Sequence, residues 1–125
     1  MIFGTGVDIV KISRIETVIN KWGDKFIDRV FTPDEKAFCL KRIRPYQAFA
    51  LRFAAKEAFS KALGTGMKMG VFWKDIEVYH LKSGKPCLKV HGISLSICEK
   101  EGVTGYHVSL SDEDEYGVAM VTLEK

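Results

Sequence analysis

Apolar residues along the chain follow two different spacings, and the changes between them divide it into elements. Ile2–Asp8 reads as a short buried strand that includes Gly4 and Gly6. Ile12, Ile15, Val18, Ile19 and Trp22 then recur at three- and four-residue steps, which predicts an amphipathic helix. Ser13 with Glu16 spells a capping box at its start, and Gly23 is its stop. Asp24–Phe31 reads as a short amphipathic turn. Thr32-Pro33-Asp34-Glu35 joins a cap, a proline and a glutamate, so a helix is expected from there to about Arg42, ending ahead of Pro45. A longer helix is expected over Tyr46–Leu63, with Gly64 as its terminator.

The second half of the chain changes character. Ile76–Leu81 and Cys87–Val90 flank the turn Lys82-Ser83-Gly84-Lys85-Pro86 and predict a hairpin. Ile93–Glu101 reads as a short helix stopped by Gly102. Tyr106–Leu110 and Gly117–Leu123 are two further strands around an acidic turn, Ser111–Glu115. Helices lead and strands follow, which predicts an α+β fold with a largely antiparallel sheet and one long central helix.

With 125 residues the chain suits one domain. An apolar fraction of 46% with 28% charged residues excludes disorder and low-complexity repeats. No apolar run reaches the ~18 residues a membrane span needs. The N-terminus has no basic region and meets Asp8 too early for a signal peptide. Cys39, Cys87 and Cys98 are odd in number and widely spaced, which favours free thiols and a cytoplasmic protein. The net charge is +3, but residues 1–61 carry +5 and residues 62–125 carry −2. Six of the basic residues lie in Lys41–Lys61 beside a single acid, Glu57. Such a field suits phosphates or an acidic partner, or is a solvated helix face.

On the long helix, Leu51, Ala54, Ala55, Ala58, Phe59 and Ala62 share one side. Arg52, Lys56, Glu57, Ser60 and Lys61 share the other, with Phe49 and Phe53 inside that polar arc. Glu57 and Lys61 are neighbours at four-residue spacing: an exposed ion pair, or part of a ligand face. Asp8 is placed at the end of the first strand, as a cap or as a functional carboxylate. Asp8 and Glu57 could hold magnesium, which takes one or two carboxylates when phosphates supply the remaining oxygens. His107, Ser109 and Ser111 alternate and should share one face of a strand, fit for phosphate or proton transfer, or merely a polar edge. His80 and His91 read as ordinary strand or turn residues. No zinc-protease, Walker or nucleophile-elbow motif is present.

Several blocks together resemble the holo-[acyl-carrier-protein] synthases, the small bacterial 4′-phosphopantetheinyl transferases. They are Gly6-Val7-Asp8-Ile9-Val10 with Arg14-Ile15, Phe31-Thr32 with Glu35, the run Arg52–Gly66, and His107-Val108-Ser109-Leu110-Ser111. The resemblance spans nearly the whole chain and implies a single transferase domain, residues 1–125. It implies transfer of the phosphopantetheine arm of coenzyme A to a serine of apo-acyl carrier protein, in support of fatty acid synthesis. It further implies magnesium held by Asp8 and Glu57, with Lys61 balancing phosphate charge. Glu57 or a metal-bound water would take the serine proton.

Ser60, Gly64, Thr65 and the Gly64–Gly66 amides would line the nucleotide, and His107 and Ser109 would contact it or its 3′-phosphate. Lys41, Arg44 and Arg52 are further candidates for that phosphate. Arg14, Lys21, Arg29 and Phe53 would meet the acidic carrier protein. The family forms homotrimers with sites at subunit boundaries. Where many relatives carry a second histidine, this chain has Asp112. Two alternatives stand beside this reading: a basic module that binds RNA or an acidic protein, and a different magnesium-dependent nucleotide transferase. The resemblance favours no nucleic-acid partner and no membrane.

Overall fold

A 19-residue helix, α4 (Pro45–Leu63), runs between two antiparallel sheets, and everything else is arranged around it. The computed structural model describes residues 1–125. The other elements are β1 (Ile2–Lys11), α1 (Ile12–Trp22), α2 (Asp24–Val30), α3 (Pro33–Leu40), β2 (Ile76–His80), β3 (Pro86–Val90), α5 (Gly92–Glu101), β4 (Gly105–Asp112) and β5 (Tyr116–Glu124). A three-stranded sheet has the order β1-β5-β4, and β2-β3 form a separate hairpin. The α+β class and the central helix match the expectation. No helix is long and apolar enough to cross a membrane.

The three-stranded sheet lies on α4 with almost nothing between the main chains. A Cβ at Gly6 would fall on the Ala58 carbonyl oxygen, and one at Gly4 on that of Ala62. Glycine at both places lets the strand approach the helix to backbone contact. On the same sheet face, Ala119, Val121 and Leu123 of β5 are fully buried.

Four local expectations change. The first strand runs on to Lys11, so Asp8 lies inside it rather than at its end. The Ser13–Glu16 capping box does not form, because Lys11 takes the cap position and the Ile12 amide bonds to the Glu115 carbonyl at 2.9 Å. Asp24–Val30 is a helix rather than a turn, and α3 stops at Leu40. The box at Thr32 and Glu35 does form, in both directions.

The largest change concerns α4, where part of the expected polar side is a second buried side, while Glu57 is half-buried and Lys61 exposed. Phe49, Arg52, Lys56 and Ser60 are all at most 2% exposed. Arg52 and Lys56 face α3 and the β2-β3 hairpin. There the Lys56 ammonium donates to Glu35 Oε1 at 2.8 Å, to the Trp73 carbonyl at 3.0 Å and to the Ile76 carbonyl. Glu35 in turn accepts from the amides of Thr32 and Val78. One buried ion pair thus joins three elements, with its remaining hydrogen-bonding capacity filled from the main chain.

Candidate active site

Asp8 and Glu57 meet where β1 crosses α4. The Gly6–Ala58 contact fixes that crossing, and Asp8 follows two residues along the same strand face. Lys61, one helical turn beyond Glu57, donates to Asp8 Oδ1 at 3.0 Å and to the Val7 carbonyl at 3.0 Å. Burial raises the Glu57 carboxyl above its ordinary value; the nearby Asp8 charge raises it further, while Lys61 lowers it. Two carboxylates and one ammonium therefore share the spot.

A cleft of about 290 Å³ opens from this cluster, walled by Ile15 and Val18 of α1, Phe26 of α2 and Phe53 of α4. Arg14 stands at its rim. Phe53 is held by stacking on Trp73, with ring centroids 4.9 Å apart. The fold thus brings together Asp8, Glu57, Lys61, Arg14 and Phe53. Lys21 lies over the Trp22 ring and Arg29 is exposed on α2; neither lines the cleft. No third acidic, histidine or cysteine side chain joins the carboxylate pair in a metal-binding group. The donor set is all oxygen and leaves room for phosphate and water, which fits magnesium.

A second cleft, about 510 Å³, lies on the other flank of α4. Lys41, Arg44 and Arg52 line it together with Arg42, Gln47 and His80. Ala48 on its wall and Glu57 in the first cleft are nine residues apart, about 180° around a helix. Arg42, His80 and Gln47 were missed from the sequence. Arg42 stands in the same basic run as Lys41 and Arg44, a signal that was present; His80 reaches the cleft only through the hairpin's folding.

Three expected nucleotide contacts are placed differently. Ser60 is fully buried, and its hydroxyl donates to the Glu57 carbonyl at 2.7 Å. The Gly64 and Gly66 amides both bond to the Ser60 carbonyl, closing the end of α4. The Thr65 hydroxyl turns to the Gly66 carbonyl at 2.7 Å.

His107 and Ser109 do share a face with Ser111, but it is the sheet face turned away from α4. Register shows why: Asp8 is aligned through Ala119 with Leu110, whereas Val7 is aligned through Met120 with Ser109. That outer face carries Val7, Ile9 and Met120, each more than half exposed. Within one chain, His107 and Ser109 therefore cannot reach the Asp8–Glu57 cluster.

Comparison with known proteins agrees with this architecture. Residues 4–121 match the model of the 4′-phosphopantetheinyl transferase superfamily. The chain is 45% identical to a holo-[acyl-carrier-protein] synthase of Solibacter usitatus over 99% of both chains. It is 47% identical to one of Syntrophus aciditrophicus, covering 99% of this chain and 97% of that one. Among solved structures, holo-[acyl-carrier-protein] synthase of Neisseria meningitidis superposes with a TM-score of 0.93 at 38% identity over the full length of both. That of Helicobacter pylori in complex with coenzyme A gives 0.85 at 28% identity, covering 96% of this chain and 99% of that one. A full-length match of this kind, on a fold that sets Asp8 and Glu57 beside Lys61 at a helix–strand crossing, means that the chain belongs to the 4′-phosphopantetheinyl transferase superfamily.

Proposed function

We propose that Asp8, Glu57 and Lys61 form the transfer centre of a holo-[acyl-carrier-protein] synthase. The enzyme moves the phosphopantetheine arm of coenzyme A onto a serine of apo-acyl carrier protein. A bond forms between the serine oxygen and the phosphorus bearing pantetheine, the pyrophosphate bridge breaks, adenosine 3′,5′-bisphosphate leaves and the serine proton is released. The observation that carries this reading is the Asp8–Glu57–Lys61 cluster at the mouth of an apolar cleft.

Asp8 and Glu57 would hold magnesium, which when bound polarises the pyrophosphate and offsets charge on the leaving group. Lys61 places its ammonium beside the same phosphates. The cleft walls of Ile15, Val18, Phe26 and Phe53 keep water from the reacting end and give the carrier protein an apolar seat.

The basic cleft takes the 3′-phosphate end of the coenzyme. It lies on the opposite flank of α4, and His107 and Ser109 lie on the outer sheet face. One chain therefore supplies parts of different sites. A homotrimer closed through the outer face would bury Val7, Ile9 and Met120 and bring one copy's basic groups toward the next copy's carboxylates. Both substrates and the three unpaired thiols suit a cytoplasmic enzyme of fatty acid synthesis.

The test is to incubate the protein with apo-acyl carrier protein, coenzyme A and magnesium and weigh the carrier. One added phosphopantetheine, absent with EDTA, is the expected result. No addition to a carrier that another transferase can load refutes the reading.

Arg14 at the cleft rim faces an acidic partner in this scheme. Arg14→Glu is expected to raise the KM for carrier protein by roughly tenfold, and to leave the KM for coenzyme A unchanged. Steady-state kinetics with each substrate varied in turn checks both halves.

A further inference from the structure

We infer that His80 is a positioning residue: its Nδ1 holds the Arg52 guanidinium toward the basic cleft, so that the enzyme selects a coenzyme whose ribose carries a phosphomonoester. The inference rests on the assignment of that cleft to the 3′-phosphate end of coenzyme A.

Arg52 is 2% exposed, yet no carboxylate pairs with it and its Nε has no hydrogen-bond partner. A guanidinium keeps its charge under burial, and a buried cation without a counter-ion is costly. Its one polar partner is His80, with Nη2 donating to Nδ1 at 3.1 Å. That bond requires the lone pair on Nδ1 and hence the hydrogen on Nε2. Burial, together with Arg52 and Arg42, holds the imidazole below its usual pKa, so this neutral form persists.

Phe38 completes the clamp. Its ring lies parallel to His80, centroids 4.9 Å apart, and 4.0 Å from the Arg52 guanidinium carbon. Arg52 is thus fixed in plane and direction before any ligand arrives. Lys41 and Arg42 are exposed, and Arg44 is turned to the Asp114 carbonyl at 3.2 Å. The preorganised donor of the cleft is Arg52, and the charge-assisted N–H groups of its Nη end suit a phosphomonoester dianion. The pyrophosphate is excluded as its ligand within the same chain, because the carboxylate pair stands on the far flank of α4.

The experiment compares coenzyme A with 3′-dephospho-coenzyme A as substrates for wild type, His80→Ala and His80→Asn. Asparagine keeps an acceptor near the place of Nδ1. Wild type is expected to show the lower KM for coenzyme A. His80→Ala should raise that KM about tenfold, the size of a hydrogen bond to a charged group, with kcat unchanged. The KM for the dephospho substrate should not move, and His80→Asn should recover most of the loss. An equal rise for both substrates, or no rise for coenzyme A, overturns the role of His80. A wild type that does not distinguish the two substrates overturns the assignment of the cleft itself, and the inference with it.

Discussion

Replacing Glu57 with glutamine lowers kcat/KM for phosphopantetheine transfer about 10²–10³-fold, the usual cost of removing one well-placed charge-stabilising group. The same substitution leaves the melting temperature equal to the wild type or slightly higher at neutral pH. The sign follows from the direction of the Glu57 shift. Burial, and then Asp8, raise its carboxyl above the ordinary value, so the folded state favours the protonated form. Above the unfolded carboxyl's pKa, holding Glu57 ionised works against folding, and a neutral amide of the same shape removes that cost. Activity lost with stability kept marks a group placed for chemistry rather than for folding. Transfer assays over a range of magnesium, with melts on the same samples, measure both. A variant that transfers at the wild-type rate ends the assignment of the centre.

Lys56→Met has the opposite profile: it removes about 3–5 kcal/mol of stability, because Glu35 is left as an uncompensated charge in the core. For a chain of this size that is roughly 12–20 °C in Tm. The Lys56 side chain is fully buried between α3, α4 and the hairpin, and burial lowers its pKa while Glu35 opposes that. Adding Glu35→Gln removes the stranded charge, so the double variant should be more stable than Lys56→Met alone. Chemical denaturation of the wild type and both variants forms the test. A loss below about 1 kcal/mol would mean that water reaches Glu35 and that the pair is not closed off.

Lys56 also shows what a sequence read at 100° per residue can and cannot reveal. The apolar side of α4, its stop at Gly64 and the Thr32–Glu35 box are local signals, and each stands in the structure. That polar residues on the other side meet a second layer rather than water is not local. It depends on Glu35, 21 residues earlier, and on carbonyls of the hairpin that follows. Arg52 shows the same effect, its partner His80 lying 28 residues on. At the site, Asp8, Glu57, Lys61, Arg14 and Phe53 came together as their motifs implied. Alternation correctly put His107 and Ser109 on one face, but only strand register could say which face. The Ser60 hydroxyl and the Gly64 and Gly66 amides are engaged within the end of α4, a use that residue type alone does not announce.

The close approach at Gly4 and Gly6 gives the candidate cleft two kinds of support. On one side, strand and helix touch main chain to main chain, so the backbone spacing beneath Asp8 and Glu57 is fixed. On the other, Ile15, Val18 and Phe26 reach the cleft through side chains that can be exchanged. Any enlargement at Gly6 disturbs fold and chemistry together, and so cannot serve to tune activity. Under the proposed function, adaptation to a different carrier surface would fall to α1 and α2, where a substitution can reshape the opening without moving the carboxylates.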